Sequence, residues 1–114
     1  MSDCLFCKIS RGELNTSFVY QDDKVVAFRD LSPQAPEHFL VIPKKHIATT
    51  NDLQPEDAPV VGQLLLVAAQ LASEYGFAEA GYRNVLNCNQ DGGQSVYHIH
   101  LHVLAGRSLL WPPG

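Results

Sequence analysis

HIHLHVLAG, residues 98–106, places three of the chain's five histidines at every second position, with aliphatic residues between them. Period two is the strand period. In an extended segment His98, His100 and His102 share one face, while Ile99, Leu101 and Val103 share the other. A helix would scatter the three rings around its axis. The stretch therefore predicts a strand with one apolar, buried face and one face lined by imidazoles. Three chemistries fit such a face: a metal site, a nucleophile with helper histidines, or a row of surface histidines.

Around this strand, YHIHLHVLA, the rest of the chain falls into alternating elements. Asp3 can cap a short helix over CLFCKIS, which stops at Gly12. SFVYQ and KVVAFRD flank Asp22 and Asp23 as a hairpin, both runs being rich in strand-forming residues. SPQAPEH is a proline-punctuated loop, and HFLVIP is a third, well-buried strand ending at Pro43. Between Pro55 and Tyr75, apolar residues at 60, 61, 64, 65, 68, 71, 72 and 75 follow the helical period, and Gly76 ends that helix. RNVLN is a fourth strand and CNQDGGQS a glycine-bearing loop. The tail, SLLWPPG, cannot continue a strand through its prolines. The order helix, strands, helix, strands indicates an α+β fold with an antiparallel sheet.

A chain of 114 residues is one domain, 1–114, and is small enough that dimerisation would help it. A net charge of −4 and no run of basic residues argue against a nucleic-acid polymer as partner, but leave a single nucleotide open. No stretch has the length and apolarity of a membrane span or a secretory leader, so the expected compartment is the cytosol. Three cysteines, an odd number, then read as thiols or metal ligands.

The loop DGGQS runs directly into the histidine strand. Gly92 and Gly93 let backbone N–H groups approach a ligand and form an anion-binding concavity; a glycine pair before a strand also serves as a plain turn. Ser95 adds a hydroxyl. Asn87 either faces the same opening or simply ends its strand. A neutral imidazole attacks phosphorus near pH 7, forms a phosphoramidate and leaves again when protonated, while its neighbours hold phosphate oxygens and protonate the leaving group. A mononuclear metal enzyme ranks lower, because the nearest acid, Asp91, sits in the glycine loop.

The chain resembles the histidine triad (HIT) family, whose signature is His-x-His-x-His followed by apolar residues. FRDLSPQAPEHFLVIPKKH, DGGQSVYHIHLHVLAGR and the terminal WPPG are similar to the Hint branch, the purine nucleoside phosphoramidases, over essentially the full length. The resemblance implies a homodimer in which two five-stranded sheets join into a ten-stranded one, with residues 107–114 as a C-terminal tail. It implies His100 as the nucleophile that forms a covalent nucleotidyl intermediate, with His102 and Ser95 at the α-phosphate or leaving group. Gly93, Gln94 and Asn87 would complete the phosphate cradle, and His98 would support His100. Asp30 matches the acid that takes the ribose hydroxyls. Phe6, Ile9, Leu14, Phe28, Leu31 and Leu40 match the apolar base pocket, each being otherwise plain core. His38 matches a histidine behind the triad that relays protons or orients its neighbour.

Many animal Hint proteins lack cysteines near the amino terminus, whereas this chain has Cys4-x-x-Cys7, which on a helix puts both thiols on one face. Other HIT branches hold zinc with such a pair, a histidine like His46 and the first triad histidine. The resemblance thus implies a closed structural zinc site of Cys4, Cys7, His46 and His98; the plain alternative is two small core residues at a helix start. The implied activity is cleavage of the P–N bond of adenosine or guanosine 5′-phosphoramidates, with no metal needed for catalysis. A dinucleoside polyphosphate hydrolase, as in the Fhit branch, and a nucleotide-binding adaptor are the rivals. The WPPG tail and SPQAP loop favour Hint.

Overall fold

A computed structural model describes residues 4–114. Helix α1 spans Leu5–Ser10 and α2 Ala58–Glu74; the strands are β1 (Tyr20–Gln21), β2 (Val25–Arg29), β3 (Glu37–Pro43), β4 (Tyr82–Val85) and β5 (Leu101–Ala105), with 3-10 turns at Thr50–Asp52 and Pro55–Asp57. The strands form one antiparallel sheet in the order β1-β2-β3-β5-β4. This is the expected α+β architecture, five strands and two α-helices. No helix among the described residues is long and apolar enough to cross a membrane.

Local chemistry explains the boundaries. The expected cap Asp3 lies outside the described residues; the α1 N-cap is Cys4, whose Sγ accepts the Cys7 N–H at 3.4 Å. At the first hairpin Asp22 Oδ1 accepts from the amides of Lys24 (2.7 Å) and Val25 (2.8 Å), which closes the turn. Hydrogen bonds from Tyr20, Lys24, Val25 and Gln63 outweigh partial burial and hold the Asp22 carboxyl down at about 2. Helix α2 begins three residues later than Pro55, which opens a 3-10 turn instead, and gives way at Gly76 with φ +82°. Its buried side chains are Leu64, Val67, Ala68, Leu71 and Ala72; Leu65 and Tyr75, counted on the apolar face in sequence, are exposed.

Strand β5 is shorter than the sequence suggests. The sequence pattern predicts an extended run over 97–105, but the ladder with β3 begins at Leu101, opposite Val41. Continuing it would pair Ile99 with Pro43, which has no N–H to give. The Ile99 amide instead donates to the Ile47 carbonyl at 2.8 Å, so residues before 101 follow the loop after β3.

The alternation of faces survives that bend. Ile99, Leu101, Val103 and Ala105 join Val25, Ala27, Phe39 and Val41 in the core against α2. On the opposite face Val26, Phe28, Leu40 and Ile42 pack with Phe6 and Ile9 of α1, and Leu40 is paired with His102. The sheet is thus covered on both sides, which is why β3 reads as an unbroken apolar run. His98 and His100 are buried rather than lining an open face, and His102 is half-buried.

Candidate active site and thiol–imidazole cluster

The three triad rings meet three different surroundings, and in each a fixed partner settles where the ring proton sits. His100 Nδ1 lies 2.8 Å from the His98 carbonyl. A carbonyl only accepts, so Nδ1 carries the hydrogen and, in the neutral ring, Nε2 is a bare lone pair. Phe6 stands edge-on to this ring, with centroids 5.0 Å apart, and fixes its plane.

His102 is set through His38. The Gln34 amide donates to His38 Nδ1 at 3.0 Å, so His38 carries its hydrogen on Nε2. That Nε2 lies 2.9 Å from His102 Nδ1, which accepts, and His102 in turn carries its own hydrogen on Nε2. Burial brings the His102 pKa down to about 4, helped by its histidine neighbours, and burial likewise lowers His38 against the opposing pull of Asp30. Both rings are therefore neutral at pH 7, as the hydrogen-bond chain requires. Side-chain donors of Asp30, His38 and His102 converge within 4.8 Å. A metal would need the His38 Nε2 lone pair, however, and the Gln34 amide keeps a proton there. His38 and His102 are thus joined by a hydrogen bond, with the Asp30 carboxylate 3.5 Å from His38 Nε2.

His98 is fully buried and turned the other way. Its Nε2 donates to the Pro43 carbonyl at 2.8 Å, leaving Nδ1 bare and pointing at Cys4 Sγ (3.3 Å) and Cys7 Sγ (3.6 Å). His46 Nδ1 lies 3.3 Å from Cys7 Sγ, and the four donor atoms all fall within 4.8 Å of one another. Burial brings His98 down to about 4 and also raises the Cys7 thiol, which favours neutral groups unless a cation joins them.

A cavity of about 730 Å³ opens between α1 and the sheet. His100, His102, Ser95 and Asp30 stand on its wall together with Phe6, Ile9, Leu14, Phe28, Leu31 and Leu40. With Nδ1 of both triad rings engaged, the cavity meets a bare Nε2 on His100 and an Nε2–H on His102. One wall thus carries a nucleophile-capable nitrogen beside a donor, and the rest is an apolar slot of the size of a small ligand.

Residues 3–109 match the protein family described as "Scavenger mRNA decapping enzyme C-term binding". A purine nucleoside phosphoramidase of Escherichia coli (strain K12) is 51% identical over 107 residues, 94% of this chain and 90% of the relative. A HIT family hydrolase from Legionella pneumophila Philadelphia 1 superimposes with a TM-score of 0.96 at 54% identity, covering 98% of this chain and all of that one (100%). The chain belongs to the histidine triad family. A histidine triad protein from Clostridium difficile, 45% identical, gives a TM-score of 0.93 with 96% of each chain covered.

Within this HIT fold the glycine loop is placed differently from its sequence reading. Asn87, Gly93 and Gln94 do not line the cavity. The Gly93 and Gln94 amides are committed to the Gln90 and Asn89 carbonyls (3.0 and 3.1 Å), so they form a turn instead of an open nest. The Gln94 side chain is buried and fully engaged: Oε1 accepts from the Asn89 amide, and Nε2 donates to the carbonyls of Ala48 and Val96. A Cβ at Gly92 would come 2.5 Å from the Cys88 carbonyl oxygen, so that glycine permits close packing inside the loop. The loop's contribution to the wall is Ser95, with Val96 beside it. Asn15, Thr16 and Ser17, not singled out in sequence, also line the cavity because the chain leaving α1 runs along its rim.

Proposed function

We propose that this HIT protein is a homodimeric hydrolase of purine nucleoside 5′-phosphoramidates, working in the cytosol as a single domain over 1–114 with residues 107–114 as its tail. The observation that carries the reading is the pair of cavity-facing nitrogens, a bare Nε2 on His100 beside an Nε2–H on His102. The 51% identical relative named purine nucleoside phosphoramidase supports it.

In this reading the apolar slot takes the base, Asp30 the ribose hydroxyls, and Ser95 and His102 the α-phosphate. Asp30 Oδ1 already accepts the Ser32 amide at 2.8 Å, so Oδ2, which lies 3.5 Å from His38 Nε2, is the atom nearer to free for a ribose. His100 Nε2 forms a bond to phosphorus as the P–N bond breaks. The amine leaves with the bonding pair and takes a proton at the side where His102 presents Nε2–H. Water then attacks phosphorus, the bond to His100 breaks, the monophosphate departs, and a proton from that water restores the His102–His38 pair. Phosphoramidate and water become monophosphate and amine, so no redox partner enters.

For the second cluster we infer zinc held by Cys4, Cys7, His46 and His98. Ligand bonds of about 2.3 Å to sulfur and 2.0–2.1 Å to nitrogen in a tetrahedron separate S and N by about 3.5 Å. Three of the four S···N distances here are 3.3, 3.3 and 3.6 Å, and the fourth is within 4.8 Å. The Pro43 carbonyl behind His98 is the kind of partner that fixes a ligating imidazole. The metal would tie α1 to the loops at 43–46 and 98. No catalytic step needs it.

The homodimer is supported by β4, an edge strand, and by the exposed Leu65 and Leu66 of α2. Turnover of an adenosine 5′-phosphoramidate and of a diadenosine polyphosphate, read side by side with intact-protein mass spectrometry, tests the function. Phosphoramidate turnover with a transient AMP adduct on His100 is expected. Faster polyphosphate cleavage would favour the Fhit-type rival, and binding of AMP without turnover of either would favour an adaptor.

A further inference from the structure

The donor side of the site is held from outside the site. Gln34 gives its amide to His38 Nδ1 at 3.0 Å, while its carbonyl accepts from Arg107, with Nη2 at 2.9 Å and Nε at 3.2 Å. The N–H and C=O of one residue lie in two peptide planes hinged at Cα. Arg107 holds the carbonyl plane, and the amide plane, joined to it at the same Cα, is braced from the amino-terminal side, so the direction of the N–H depends on both. There Pro33 restricts the chain, the Ser32 amide donates to Asp30 Oδ1 at 2.8 Å, and Gln34 Nε2 donates to the Ser32 carbonyl at 3.0 Å. Next to Arg107, Gly106 has φ +96°, and a Cβ there would stand 2.7 Å from Pro36 Cβ. The chain leaving β5 therefore lies flat against the proline loop, and the guanidinium closes the contact.

Arg107 is exposed and lines no part of the cavity that holds the triad. We propose that Arg107 is a positioning residue: by holding the Gln34 carbonyl it keeps the Gln34 amide on His38, and so keeps the proton of His102 on the cavity-facing Nε2. Asp30 Oδ2, 3.5 Å from His38 Nε2, also favours the hydrogen there, so loss of the amide would not invert the ring outright but would let a share of His38 carry its hydrogen on Nδ1 and present a bare Nε2 to His102. In that share His102 would place its hydrogen on Nδ1 to meet it, and its cavity-facing nitrogen would become a lone pair. A lone pair there repels phosphate oxygens and has no proton for a leaving amine. An exposed guanidinium thereby helps to set the polarity of a hydrogen bond inside the site.

This inference rests on the proposed role of His102 as donor, and the test separates the two. Ring nitrogen NMR of 15N-labelled, substrate-free protein at neutral pH reads each tautomer directly. The wild type should show protonated Nε2 and bare Nδ1 on both His38 and His102. Arg107→Ala should move both rings toward a mixture of tautomers and lower kcat for adenosine 5′-phosphoramidate roughly tenfold, with KM and AMP affinity within about twofold. Arg107→Lys, which returns one donor to the same carbonyl, should recover most of both effects. If Arg107→Ala keeps the wild-type nitrogen pattern, the proposal is overturned whether or not kcat falls, because a loss with intact tautomers would be ordinary structural support. If the wild type fails to turn over the phosphoramidate, the functional reading falls, while the nitrogen spectra still decide the proton arrangement.

Discussion

At one end of the triad, His98 spends both ring nitrogens on the protein: Nε2–H goes to the Pro43 carbonyl, and the bare Nδ1 goes to two thiols. At the other end, His102 spends only Nδ1, on His38, and keeps a protonated Nε2 for the cavity. The two residues lie four positions apart on one face of the chain and are depressed in pKa to the same value, about 4, by the same principal cause, burial. Their chemistry nevertheless diverges, because an acceptor opposite one nitrogen and a donor opposite the other leave opposite atoms free. A buried imidazole is thus assigned its role by its least conspicuous neighbour, here a backbone carbonyl in one case and a backbone amide relayed through His38 in the other.

The largest expected effect comes from breaking the pattern at the middle ring. His100→Asn removes the bare Nε2 while keeping a small polar side chain, and should lower kcat/KM by about 10³ or more, roughly 4 kcal/mol. AMP affinity and dimerisation should change little. Steady-state kinetics beside AMP titration check this; a variant keeping more than about a tenth of activity, a loss under ~1.4 kcal/mol, moves the nucleophile elsewhere.

At the His98 end the expected loss is in stability. Protein purified without chelator should contain about one zinc per chain by metal analysis. The Cys4→Ser, Cys7→Ser variant should lack it and lose roughly 2–4 kcal/mol against denaturant, yet still hydrolyse substrate. A reduced, freshly purified wild type without zinc ends the structural-metal reading.

The His102 end makes a smaller, pH-dependent contribution. Its folded pKa near 4 lies below the ordinary value of 6.5, so between those limits the unfolded chain binds the proton first. The stability due to its neutral, bonded state is complete above pH 6.5 and is lost as pH falls toward 4. For a half-buried ring this amounts to roughly 1–2 kcal/mol after solvent screening. His102→Gln should flatten the fall in unfolding free energy over that window; an unchanged slope would assign the acid sensitivity to other groups.

The period-two pattern of 98–103 was enough to separate an apolar face from an imidazole face, and that separation holds even where the β5 ladder does not. The Cys4-x-x-Cys7 pair is legible in the sequence itself, while His46 and His98 join it only through the family resemblance. What the sequence concealed is mostly backbone. The carbonyls of His98 and Pro43 and the amide of Gln34 decide the ring protons, yet every residue type carries such atoms. For the same reason Gly93 and Gln94 looked like a phosphate cradle: their amides are free in a sequence and are spent on Gln90 and Asn89 in the fold.

The smallest expected effect lies beyond the His102 end, in the tail. Leu110 is 74% and Trp111 82% exposed, so neither side chain anchors the terminus on its own domain. What holds the segment is Arg83, whose Nη2 donates to the Leu109 and Leu110 carbonyls at 2.8 and 2.9 Å. Arg83 belongs to β4, the edge at which a second copy would continue the sheet. In the homodimer proposed above, an indole presented there, poorly used by its own chain, would be free to reach a partner's leaving-group side. It would pack on a bulky amine while standing clear of the α-phosphate. Deleting residues 110–114 should leave zinc content, dimerisation and AMP affinity largely unchanged. The kcat/KM ratio between aromatic-amine and simple-amine phosphoramidates should shift several-fold, about 1 kcal/mol of selectivity. Equal losses on both substrates would mean that the tail acts on the fold or on the common phosphate chemistry, and the division between a substrate-facing His102 end and a structural His98 end would no longer extend to the terminus.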